Sequence, residues 1–221
     1  AAGASFDGDG FVQLLLRQEA CARFVALKLY RHFVADVSDD WDLLPGETKG
    51  VIDAMAQQLR RENYAIAPVL ATLFKSRHFH DPHIVGKKIK SPAHLTAGTV
   101  RTLDTPTRDE RGLTRALGAM GQELFEPPSV AGWDGGRAWI NTSTLLLRQN
   151  TCTYLITGKD PGGRWKRSDM DYDPLALLDG LDEPTPRRVV DHLCDAMLGP
   201  HVPAERRVPL VRFLEERQTG V

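Results

Sequence analysis

The chain has 221 residues, with 28 lysines and arginines against 29 aspartates and glutamates, for a formal net charge of −1. That length suits one large domain, or one domain with a small appendage. The near-neutral charge argues against a general nucleic-acid binder, which carries a basic excess. No apolar run approaches the ~18 residues of a bilayer span, and no basic start followed by an apolar stretch marks a secretion signal. Three cysteines without a Cys-x-x-Cys pair are too few for a disulfide-built fold.

Helical periodicity dominates the chain. From Phe11 to Phe33 apolar side chains recur at steps of three and four (Phe11, Leu14, Leu15, Cys21, Val25, Leu29, Phe33), which puts a stripe on one helix face. Asp9 is a candidate cap for its start, and the length allows a break near residues 18–20. A second helix follows Val51, Ile52, Met55 and Leu59, and a third follows Pro68. Ser91-Pro92 predicts a fourth start, with Ser91 as N-cap and the proline in the first turn, where its missing N–H costs nothing. Leu113, Ala116, Leu117 and Met120 mark a fifth. Residues 121–141 then hold Pro127-Pro128, four glycines and two tryptophans, and predict an ordered loop. Helix resumes after Thr142 or Ser143, and further starts follow Asp173-Pro174, Thr185-Pro186 and Pro203. No alternating β pattern appears. The expectation is an all-α, irregular multi-helix bundle of about seven to nine helices. A main body over 1–157 would include the Pro-Pro/Gly-Trp loop, with a linker and C-terminal helical extension over 158–221. Few large apolar side chains in that extension predict that it does not fold alone.

The most distinctive stretch is Phe125-Glu126-Pro127-Pro128-Ser129-Val130-Ala131-Gly132-Trp133, continuing through Gly135-Gly136-Arg137-Ala138-Trp139-Ile140-Asn141. Lys90-Ser91-Pro92 and Gly121-Gln122 lie upstream. In order and spacing these residues resemble the bacterial domain-of-unknown-function family numbered eighteen hundred, over roughly residues 8–155. The resemblance implies an exported protein, periplasmic or extracellular, although this chain shows no signal. It also implies a sulfatase-like protein encoded nearby, and full members about twice as long, with this chain as the C-terminal half. It supplies no catalytic residues. Within the motif, glycines permit positive φ or close backbone approach, and each tryptophan brings an apolar face and one N–H that needs a partner. Asn141 can cap the helix that follows. Two readings stand: a loop packed over the bundle by its tryptophans, or a loop lining a ligand or partner groove through Lys90, Trp133, Arg137, Trp139 and Asn141.

Other candidates are weaker. His78, His80 and His83 have a spacing that can ligate zinc, but Asp81-Pro82 makes a turn between them and no fourth ligand is evident. A solvated helix end is the alternative, and no metal or other cofactor is expected. Asp7-Gly8-Asp9-Gly10 lacks the remaining ligands of a calcium loop. Asp169, Asp171 and Asp173 stand beside Arg164, Lys166 and Arg167, which suggests a self-neutralising loop. Asp39, Asp40 and Asp42 around Trp41 suggest a sugar site and nothing more. Lys28, Arg31 and His32 are either a solvated face or ion-pair partners for the acidic segment 36–42. Cys21, Cys152 and Cys194 fall on apolar helix faces, with a Cys152–Cys194 disulfide allowed in an exported protein. With no nucleophile elbow, P-loop or dinucleotide fingerprint, enzyme status is open. The leading expectation is an exported module that binds a protein partner or an extracellular polymer. The sulfatase-like neighbour or a missing N-terminal half would be such a partner. The alternative is a hydrolase acting on an extracellular polymer at the Trp133/Trp139 loop.

Overall fold

The structure, a computed structural model, describes residues 7–107, 109–159, 172–199 and 202–218. Among these residues it holds nine α-helices and three short 3-10 segments, with no β-strand. The fold is all-α. No helix among the described residues is long and apolar enough to cross a membrane. The chain packs as two compact units, Ala1–Lys88 and Ile89–Val221. This division falls inside the 1–157 stretch that the sequence groups as one body, and it keeps the C-terminal helices with the loop.

In the first unit, α1 (Gly8–Arg17) and α2 (Glu19–Phe33) are separate helices, broken at Gln18, whose backbone is extended. The start of α1 is capped by Asp7, not Asp9: the Asp7 carboxylate accepts from Gly10 N–H at 2.8 Å, which leaves Asp9 in the first turn. A 3-10 turn at Trp41–Leu43 leads into α3 (Gly46–Arg61), and α4 (Ile66–Phe74) follows. The core joins Ala22, Ala26 and Tyr30 of α2 to Ile52, Met55 and Leu59 of α3 and to Val69 and Leu73 of α4. The two alanines lie one turn apart, so α3 can approach α2 closely along that face. Tyr64 bonds its hydroxyl to the Leu16 carbonyl at 2.7 Å, which ties the turn after α3 to the end of α1. Along α2 the predicted stripe is half-buried at Cys21, Val25 and Leu29 and exposed at Phe33, and the fully buried residues are Ala22, Ala26, Leu27 and Tyr30; on α1, Phe11, Leu14 and Leu15 remain exposed.

The second unit contains α5 (Pro92–Leu103), α6 (Glu110–Ala119), α7 (Thr142–Thr157), a 3-10 turn at Pro174–Leu178, α8 (Pro186–Leu198) and α9 (Ala204–Gln218). Side-chain N-caps at Ser91, Asp173 and Thr185 accept from their first-turn N–H groups, as the Ser/Thr/Asp-Pro starts predict, and Asp109 and Asn141 cap their helices in the same way. Arg148 reaches the Lys90 carbonyl, Thr99 meets Cys152, and Thr105 bonds the Leu155 carbonyl. Positions on both segments rise together, so α5 and α7 run parallel. α8 and α9 are clamped by Arg207, which bonds Asp191 at 2.9 Å and Asp195 at 2.6 Å.

Candidate functional site

The loop between α6 and α7 starts from a well-made helix end. Gly121 has φ +92°, Gly121 N–H bonds the Gly118 carbonyl, and Gln122 N–H reaches back to the Leu117 carbonyl at 2.9 Å. This closes α6 with a left-handed glycine and satisfies carbonyls that would otherwise be orphaned. The turn throws Gln122 towards α5, where its side-chain oxygen accepts from Ala93 N–H at 2.9 Å. Ser91 Oγ accepts from His94 N–H at 3.2 Å beside it. The Lys-Ser-Pro and Gly-Gln motifs, about thirty residues apart in sequence, therefore cap one helix N-terminus together.

Arg148 completes this knot. It is 9 % exposed, and its Nη2 donates to the Lys90 carbonyl at 2.6 Å. Its Nη1 is buried with no hydrogen-bond partner. Burial holds its pKa below the ordinary arginine value, since removal from water disfavours the charged form. The sequence gives no sign of Arg148, and it shows Gln122 only as part of the Gly-Gln motif, without its partner. Arg148 sits in a helix whose polarity looks unremarkable, and only the parallel packing of α5 and α7 buries it.

The tryptophans divide the roles that the sequence left open. Trp139 is buried. Its ring lies close to Gly121 and Gly135: a Cβ on either glycine would stand 4.0 Å from the indole. Trp133 is half-buried, and Arg137 and Asn141 are exposed. The Asn141 side-chain oxygen accepts from Thr144 N–H at 2.9 Å, and Thr144 Oγ1 accepts from Asn141 N–H at 2.9 Å, a reciprocal capping box. The same Thr144 hydroxyl donates to the Trp139 carbonyl at 3.0 Å, so the cap of α7 also fixes the buried tryptophan. Phe125 and Val130 project almost wholly into solvent, and Leu145 and Leu146 on the first turns of α7 are exposed. Phe125 has φ +68°, a conformation that strains a bulky side chain. The loop thus has a buried anchor and an exposed apolar rim.

The motifs that form this knot and this loop are those that carried the family resemblance. The chain belongs to the family described as protein of unknown function (DUF1800), whose model matches residues 1–220. The match extends beyond the 8–155 stretch in which the motifs were read. No curated protein and no solved structure matches the chain.

The remaining candidates lie elsewhere and are engaged structurally. The three histidines do not converge. His78 is bonded through Nε2 to the wholly buried Tyr30 hydroxyl at 2.8 Å and through Nδ1 to Glu47 at 3.2 Å. His80 Nε2 bonds the Phe74 carbonyl at 2.8 Å while its ring meets Phe79 edge-on. His83 is exposed, and only its backbone N–H bonds Asp81. Among the described residues no group of three or more His, Cys, Asp or Glu is placed to hold an ion.

Of the two readings for Lys28 and Arg31, the structure takes the ion pair: both reach Asp39, and Lys88 reaches Asp36 at 3.4 Å. Arg31 is the main reason the Asp39 carboxyl is held below its usual pKa. Asp40 caps the 3-10 turn, and the Arg23 guanidinium stacks over Trp41 at 5.4 Å, so Asp39, Asp40 and Trp41 of the suggested sugar site are already partnered. Cys152 and Cys194 are free thiols, as is Cys21; the disulfide does not form. Asp169, Asp171, Arg164, Lys166 and Arg167 lie outside the described residues.

Proposed function

We propose that this chain is an exported helical module that binds a protein partner or an extracellular polymer through the loop between α6 and α7. The observation that carries this reading is Phe125, 96 % exposed and held at φ +68°. An isolated chain gains nothing from displaying an aromatic ring in a strained conformation, whereas an interface uses such a ring as an anchor. Val130, Leu145 and Leu146 extend the apolar surface around the loop, a surface that favours docking over catalysis. The buried Trp139 and the cap at Asn141 hold the loop in one shape, which lowers the ordering cost of binding. Export, and a sulfatase-like protein as partner, follow from the family resemblance alone. A hydrolase site at Trp133 and Trp139 has less in its favour, because Trp139 is enclosed and Asn141 is committed to the helix cap.

The test is a photo-crosslinking phenylalanine analogue at Phe125, expressed in the native cell and followed by fractionation. A discrete adduct with a second protein or with envelope polymer, outside the cytoplasm and lost on Val130→Asp, is the expected result. Full incorporation with no adduct, or recovery from the cytoplasm alone, overturns the proposal.

A further inference from the structure

The second unit displays an aromatic knob and an apolar groove, and each fits the other. The knob is the tip of the loop. Glu126 N–H bonds the Glu123 carbonyl at 3.2 Å, which closes a turn whose third residue, Phe125, has φ +68°. Turns with positive φ at that position favour glycine or asparagine. Here the turn lifts a phenyl ring into solvent between two exposed glutamates, and Val130, five residues on, is as exposed as the ring.

The groove, of about 320 Å³, lies between α8 and α9. Its walls are apolar: Val190, Leu193 and Leu198 come from α8, and Leu210, Phe213 and Leu214 from α9. Leu198, Leu210 and Phe213 are exposed, although a helix ordinarily turns such a face inward. The rim is basic. The Arg217 guanidinium lies over the Phe213 ring at 5.4 Å, and Arg206 is exposed one turn before Leu210. No acidic residue lines the groove, and Asp191 and Asp195 of α8 are committed to Arg207.

We propose that the groove receives Phe125 of a second copy of this chain, with Glu123 and Glu126 meeting Arg217 and Arg206; the pairing rests on the loop being the docking element proposed above, and it names the partner. An aromatic knob flanked by carboxylates matches an apolar groove flanked by guanidinium groups. A cavity of about 150 Å³ holds one benzene ring, so the groove takes the phenyl ring and leaves room for Val130. Because one chain carries both halves, a two-fold axis makes the contact twice and closes a dimer. A hydroxyl-rich polymer suits the groove poorly, since apolar walls leave its hydroxyls without hydrogen bonds.

The experiment places a benzophenone-bearing phenylalanine at position 125 of the purified full chain and irradiates it across a concentration series. A saturable adduct of twice the chain mass, mapped by peptide mass spectrometry to α8 or α9, is expected. Phe213→Asp and Leu198→Asp alter exposed side chains on opposite walls, so both variants should fold. Each should cut the adduct about tenfold or more, the loss expected when a carboxylate replaces an apolar contact to the ring. A labelled Phe213→Asp chain, which keeps its loop, should regain the adduct when mixed with unlabelled Phe125→Asp chain, which keeps its groove. The proposal is overturned if no doubled-mass adduct forms, if it maps away from α8 and α9, or if both groove variants form it like the parent chain. An adduct with a different protein in cells, with none between purified copies, overturns the second copy as partner and leaves the docking role of the loop standing; no adduct in either setting removes both.

Discussion

The joint between the loop and α7 makes a sharp prediction, because one hydroxyl serves both a backbone N–H and a backbone carbonyl. Thr144 is buried; its Oγ1 accepts from Asn141 N–H at 2.9 Å and donates to the Trp139 carbonyl at 3.0 Å. Thr144→Val keeps the shape and removes both bonds, leaving one donor and one acceptor in partly buried surroundings. At about 1–3 kcal/mol for each orphaned group, the expected loss is about 2–6 kcal/mol. Asn141→Ala removes only the bond to Thr144 N–H and should cost about 1 kcal/mol. Asn141→Asp keeps an oxygen acceptor and adds a negative charge at a helix N-terminus, so it should cost little or slightly stabilise. Because the groups share one network, the double variant Asn141→Ala/Thr144→Val should be less destabilised than the sum of the singles. Urea unfolding followed by circular dichroism measures all four variants, with tryptophan fluorescence reporting the loop. The reasoning is refuted if Thr144→Val lies within ~0.5 kcal/mol of the parent chain, the range of ordinary surface changes. It is refuted equally if Asn141→Asp is as damaging as Asn141→Ala, since the cap would then not be what Asn141 supplies.

Three further predictions follow from other parts of the chain. The Asp39 carboxyl has a lowered pKa, so its pairing with Arg31 and Lys28 stabilises the fold above the unfolded pKa of about 4 and is lost as pH falls through the lower folded value. Asp39 is largely exposed, so Asp39→Asn should cost about 1 kcal/mol or less at neutral pH, with the gap closing below about pH 4 and shrinking in high salt, as pH-resolved melting would show. Tyr30→Phe should destabilise by about 1–3 kcal/mol in urea melts, because the inward nitrogen of His78 loses its partner; an unchanged midpoint would show that the 2.8 Å bond contributes nothing. Gly118→Ala, in open space within α6, should stabilise by up to ~1 kcal/mol, whereas Gly121→Ala, at φ +92° under Trp139, should destabilise by at least as much; calorimetry that ranks them the other way contradicts the helix-end geometry.

Local chemistry is what the sequence carried by itself. The helix starts at Ser91-Pro92, Asp173-Pro174 and Thr185-Pro186 were legible because a cap and its first turn lie within four residues, and the break near Gln18 was legible because the helix was too long. The all-α class followed from apolar periodicity, and the family from motifs whose residue types are unusual enough to identify it. Asp7 displaced Asp9 as the cap of α1 because two acidic residues two positions apart offer equivalent local signals, and only backbone geometry selects between them. Long-range pairing was not legible. Nothing near Arg148 in sequence announces that it reaches Lys90, nothing near Gln122 that it caps α5, and nothing near His78 that it meets Tyr30. Those contacts arise from the parallel approach of α5 and α7 and from the turn that places His78 against α2. Which tryptophan is buried and which apolar residues are displayed was likewise decided by packing, because Trp139, Phe125 and Val130 carry the same preference for burial and only the tertiary fold has room for one of them.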